Sequence, residues 1–169
     1  MHTRTRDMAI GAGATLAALL VGFGIGGGRL PRVAAVTAQS DDAFAVCTVP
    51  LDAGVEGFFM LDFETGDLSG GVLNPATSQF SAAYKHNVLK DLGFKPGQVK
   101  NPKFLLVSGL AEVRRGTVTV GPSVLYVTDS STGTTVAYAI PWNPQQQQAV
   151  SPLVPLDVAR PRGGGGRAK

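Results

Sequence analysis

The chain of 169 residues has room for one ordinary domain beside its termini, and its single cysteine, Cys47, excludes an intrachain disulfide or a thiolate metal cage. A formal net charge of +3 invites a polyanionic partner, but residues 41–159 carry eleven acidic and seven basic side chains, a balance of −4, so the positive surplus belongs to the termini. Nucleic acid is therefore not expected as a partner of the folded body.

Met8 to Gly28 is uncharged, follows Arg4 and Arg6, and as a helix would span about 30 Å, the thickness of a bilayer's hydrocarbon core. It is read as a separate transmembrane helix, a signal-anchor, with residues 1–40 making the anchor and its linker. The alternative is a cleaved signal, with Val36-Thr37-Ala38 as the cleavage site and a secreted body. Two arginines on each side of the run leave the positive-inside rule balanced. The short basic N-terminus favours export, so the body is expected to face the periplasm or the cell exterior. Gly22/Gly26 and Gly24/Gly28 have the spacing that lets two membrane helices approach closely.

Residues 41–144 form the expected domain. Phe58-Phe-Met-Leu-Asp62 and Leu125-Tyr-Val-Thr-Asp129 are apolar runs that each enter an Asp-x-x-Thr-Gly turn and are followed by a second run. The Asp bonds its own backbone and the Gly supplies a positive φ, which predicts hairpins with loops at 63–67 and 130–134. Phe44 to Val49 and Phe104 to Ser108 are strand candidates ahead of them. The result is two three-stranded meanders at offsets of 60 to 67 residues, the pattern of an internal repeat. Between them, Asn74-Pro75 can cap a helix, and Phe80, Ala83, Tyr84, Val88 and Leu92 recur at spacings of three and four up to Gly93. One helix packed on antiparallel strands is an α+β fold. Residues 145–169, rich in Gln, Pro and Gly, are expected to be a disordered tail.

Candidate chemistry is sparse, and no catalytic, cofactor or metal set is assigned. Asp62, Glu64 and Asp67 crowd one loop without the alternating oxygen ligands of a calcium site, so turn chemistry accounts for them better. His86 falls on the polar side of the predicted helix without a second histidine in the body to act with it, and Cys47 lies in an apolar strand. Asp52, Glu56, Asp62 and Asp67 are the carboxylates from which an acid–base pair for a hydrolase would have to come. Trp142, Tyr126 and Tyr138 are candidate stacking surfaces for an envelope ligand or glycan, and Arg114 and Arg115 a candidate contact for an acidic partner.

Five stretches carry a resemblance: Phe58-Phe-Met-Leu-Asp-Phe-Glu-Thr-Gly-Asp-Leu68, Val72-Leu-Asn-Pro75, Asn101-Pro-Lys-Phe-Leu-Leu-Val-Ser-Gly-Leu110, Arg114-Arg-Gly116 and Val136-Ala-Tyr-Ala-Ile-Pro-Trp-Asn-Pro144. With them the chain resembles a family of planctomycete-type bacterial proteins, membrane-anchored or secreted, to which no activity is attached. The resemblance implies the domain limits and export, and no site residue. Tyr126-Val-Thr-Asp129 with the later Thr-Gly is also similar to one hairpin of a YVTN-type propeller blade, although a closed propeller needs about four blades or more. The expected role is a membrane-anchored extracytoplasmic module for structure or protein interaction, binding a partner or itself, and not an enzyme. Its basic tail is the part best able to meet anionic polymers or lipid head groups.

Overall fold

The computed structural model describes residues 38–95, 102–114, 116, 118–145 and 150–162. By contacts the chain divides into residues 1–33 and 34–169, and every described residue belongs to the second unit. The membrane segment expected at 8–28 lies outside the described residues. Among those described, no helix is long and apolar enough to cross a membrane.

The described chain is all-β. Ten strands follow one another: β1 (Ala38–Ser40), β2 (Phe44–Asp52), β3 (Val55–Asp62), β4 (Asp67–Asn74), β5 (Gln79–Asn87), β6 (Phe104–Leu110), β7 (Val120–Asp129), β8 (Thr135–Pro141), β9 (Val150–Ser151) and β10 (Val154–Ala159). They form a six-stranded sheet ordered β1-β2-β3-β4-β5-β9 and a four-stranded sheet ordered β10-β8-β7-β6. All neighbours are antiparallel except β5 and β9.

Both Asp-x-x-Thr-Gly segments close hairpins. Asp62 Oδ1 accepts the Thr65 amide at 2.9 Å, and its carbonyl accepts the amide of Gly66, which sits at φ 70°. Asp129 does the same for Ser131 and Gly133, the latter at φ 75°.

The α+β expectation is overturned in the segment between the hairpins. Gln79–Asn87 is strand β5, and no helix occurs among the described residues. Asn74 Oδ1 accepts the amides of Ala76 and Thr77, and its carbonyl accepts that of Ser78, whose φ of 56° turns the chain back. These bonds cap a helix and close a four-residue hairpin equally well, so Asn74-Pro75 did not discriminate. The helical spacing of the apolar residues has a second origin. A bulge between Val72 and Leu73 moves Phe80 to the face opposite Ala82 and Tyr84, which breaks the strand alternation. One helical turn remains, Val88 to Gly93. Leu92 donates to Val88, Gly93 to Lys90 and Phe94 to Leu89, with Gly93 at φ 86°, which is a Schellman closure.

The tail also differs from expectation. Val150–Ser151 extends the first sheet beside Ala83 and Tyr84, and Val154–Ala159 pairs with β8, so residues 150–159 belong to the fold. Arg162 Nη1 donates to the Ser130 carbonyl at 3.2 Å. Ala38–Ser40, assigned to the linker by sequence, pairs with Cys47 to Ala45.

The core lies between the sheets. Phe59, Leu61, Leu68, Val72 and Tyr84 of the first meet Leu106, Leu125, Val127, Tyr138 and Ile140 of the second, with Phe104 against Phe63 at 5.6 Å between ring centroids. Polar bonds cross the same space. Tyr84 Oη donates to the Pro141 carbonyl at 2.8 Å, Ser108 Oγ to Thr48 at 2.7 Å, and Ser123 Oγ to Pro50.

Gly70 faces this core beneath Phe59, and a methyl there would stand 2.4 Å from the ring. The ring is fully buried and cannot swing away. Gly70→Ala is expected to destabilise by about 1–3 kcal/mol through overpacking. Gly109→Ala, whose methyl meets Tyr126 at an ordinary 3.4 Å, should leave the unfolding midpoint near wild type. Denaturant titration of both variants is the check, and equal midpoints would refute the packing assigned to Phe59.

Candidate functional site

The three aromatics singled out by sequence do not share a surface. Tyr138 is fully buried and Trp142 nearly so, its Nε1 donating to Asp52 Oδ2 at 3.4 Å. Tyr126 lies on the opposite side of the second sheet, half-buried between Val107 and Ala137. Arg114 is exposed, and Arg115 lies outside the described residues.

The carboxylates likewise separate. Asp52 and Glu56 flank the β2–β3 turn, whereas Asp62 and Asp67 flank the β3–β4 turn at the other end of β3. Among the described residues no group of three His, Cys, Asp or Glu side chains could hold a metal ion. Cys47 is buried, and that burial pushes its thiol up to about 12, which leaves it protonated at neutral pH.

His86 lies on β5 and not on a helix. Its Nε2 is 2.7 Å from Asp91 Oδ2, and the same oxygen accepts Tyr138 Oη at 3.1 Å. The His86 and Tyr138 rings meet edge to face at 5.1 Å. Burial, with the Asp91 charge behind it, pushes the Tyr138 hydroxyl well above its ordinary range. Asp91 was not singled out by sequence, because its partners come from β5 and from β8, 47 residues away.

An open depression of about 500 Å³ lies where the β1–β2 and β7–β8 turns meet, with Asp41, Asp42, Lys103 and Ser130 over Phe63 and Phe104. Lys103 Nζ donates to Asp42, and its carbonyl accepts both the amide and the hydroxyl of Ser130. These polar groups serve one another and tie the two turns together.

The outer face of the first sheet gathers exposed apolar side chains. An antiparallel sheet packed on one side normally turns polar residues outward. Here two full rows alternate with the core residues, Met60, Ser69 and Lys85, and Phe58, Gly71 and Ala83, on β3, β4 and β5 in turn, and Leu73 and Phe80 pair in a third row on β4 and β5, with Glu56 two residues before Phe58 on the same face of β3. Val150 extends the middle row. Phe58, Met60, Leu73, Phe80 and Val150 are 43%, 38%, 48%, 68% and 67% exposed. Gly71 permits this arrangement, because a methyl there would stand 3.0 Å from the Phe80 ring. Taking roughly 150–250 Å² for a whole aromatic side chain, the patch is on the order of 500 Å². A signal was present in the sequence. Four consecutive apolar residues, Phe58-Phe59-Met60-Leu61, must place two of them outward in any strand.

No family model, curated protein or solved structure matches the chain.

Asp129 illustrates how the carboxylates are used. Although burial opposes its ionisation, bonds from the Thr132 and Ser131 hydroxyls at 2.6 and 2.7 Å and from backbone amides prevail and hold its carboxyl below the usual range. A depressed folded pKa contributes stability that is complete above the unfolded value of about 3.9 and is lost as pH falls through the folded one. Asp129→Asn should therefore destabilise by about 1–3 kcal/mol at pH 7, with the difference from wild type shrinking below pH about 4. Thermal unfolding from pH 7 to 3 tests this; a difference independent of pH would refute it.

Proposed function

We propose that this chain is an interaction module that works by contact, held at the outer side of a membrane through residues 8–28, with the outer face of the first sheet as its contact surface. The observation that carries this reading is the group Phe58, Met60, Leu73, Phe80 and Val150, five large apolar side chains exposed together on one face. Water is a poor neighbour for such a patch, and covering it supplies association free energy.

The chemistry elsewhere supports contact over turnover. His86 and the Tyr138 hydroxyl converge on one oxygen of Asp91, Cys47 is buried, and the carboxylates sit in turns. Trp142 and Tyr138, on which a glycan groove would depend, serve the interior.

A photoreactive phenylalanine analogue at position 80 of the full chain, irradiated in its native membranes, should form a covalent adduct with a protein. The same group at exposed Asp157 on β10 should not. Reaction at position 80 with water or lipid alone would overturn the contact surface, and recovery of the full chain free of membranes would overturn the tethering.

A further inference from the structure

We infer that the occupant of this face is a second copy of the same chain, an inference that rests on the contact reading above. Continuing the β3–β4 register one step past Gly57 and Val72 sets Glu56 beside Leu73, and the nine central positions then form a three-by-three grid: Met60, Phe58 and Glu56 along β3; Ser69, Gly71 and Leu73 along β4; Lys85, Ala83 and Phe80 along β5. Glu56 and Lys85 occupy opposite corners. The other diagonal runs Met60, Gly71, Phe80.

A two-fold axis lying in the contact plane along that second diagonal sets each position against its mirror position in the other copy, as an isologous interface requires. Lys85 then faces Glu56 of the other copy, twice over. Phe58 stands over Ser69 and Leu73 over Ala83, large against small in both cases. Met60 and Phe80 lie on the axis and meet their own counterparts. The two sheets cross steeply, an established way for sheet faces to pack.

Charge and area agree with this occupant. Lys85 bridges Asp67 at 3.1 Å, which engages one of its three donors and leaves the others to a facing carboxylate. An anionic bilayer suits the face less well. The body is acidic overall, and the one cation on the grid already has a carboxylate beside it. Covering the patch on two copies removes on the order of 1,000 Å², the lower limit for a specific interface.

The test uses the full chain reconstituted in lipid nanodiscs loaded with two copies each. Met60→Cys, on the axis, should be joined to its counterpart by a bis-maleimide that spans about 10 Å, the separation of sheets packed face to face, giving a species of twice the 17.5 kDa chain mass. Phe80→Asp and, separately, Glu56→Lys in the Met60→Cys background should each lower its yield at least fivefold while the thermal midpoint stays in place. Adding Lys85→Glu to Glu56→Lys should restore most of it. Failure of Met60→Cys to cross-link overturns the inference, and so does a dimer indifferent to Phe80→Asp and Glu56→Lys, which would be held elsewhere. If position 80 in native membranes then labels a different protein, the contact reading survives and the second copy does not. If it labels no protein, both fall.

Discussion

Two tyrosines that reach across the space between the sheets hold the described fold in one arrangement. Tyr84 leaves β5 and bonds the Pro141 carbonyl at the end of β8, while Tyr138 leaves β8 and bonds Asp91 in the turn that follows β5. Each contributes a large apolar ring to the core, and each has a hydroxyl that must find a partner once buried. Hydrophobic contact alone would let two sheets slide. A buried hydroxyl with one acceptor within reach penalises the slide, because displacement would leave it unsatisfied. The serine bonds from β6 and β7 to the carbonyls of Thr48 and Pro50 on β2 pin the opposite margin in the same way.

That arrangement determines what is left on the surface. With Phe59 and Tyr84 packed inward, their rings tilted at 35° with 5.3 Å between centroids, alternation obliges Phe58 and Met60 to face outward. The two glycines of β4 then act on opposite faces. Gly70 makes room for Phe59 inside, and Gly71 makes room for Phe80 outside. A dense core and an apolar outer face are thus two consequences of one strand pairing, and the bulge at Val72 and Leu73 brings Phe80 onto the outer side.

The ionisable groups follow another logic. Most lie in turns at the strand ends, where Asp62 and Asp129 take the donors of the loops that they open. Asp67 is held below the usual carboxylate range by the Asn87 amide first and by Lys85 second, and so joins β4 to β5. His86 joins the same end through Asp91. Charges engaged in closing loops and linking strands serve the fold itself.

The sequence by itself determined the local events. Asp-x-x-Thr-Gly closed both hairpins because its hydrogen bonds and positive φ are made within five residues, and Gly93 ended its turn for the same reason. Cys47 read as a small apolar strand residue because its immediate neighbours are apolar. Only the tertiary structure decided the state of residues 79–87, since Asn74 makes the same bonds in a cap and in a turn, and strand pairing with β4 settled between them. It likewise drew residues 150–159 into both sheets, where polar and proline-rich composition had suggested disorder; unpaired edges of β5 and β8 supplied backbone partners that no local pattern announces. The outer apolar face was half legible in Phe58 to Leu61. Its extension through Leu73, Phe80 and Val150 depended on register across three strands, and register is a property of the assembled sheet.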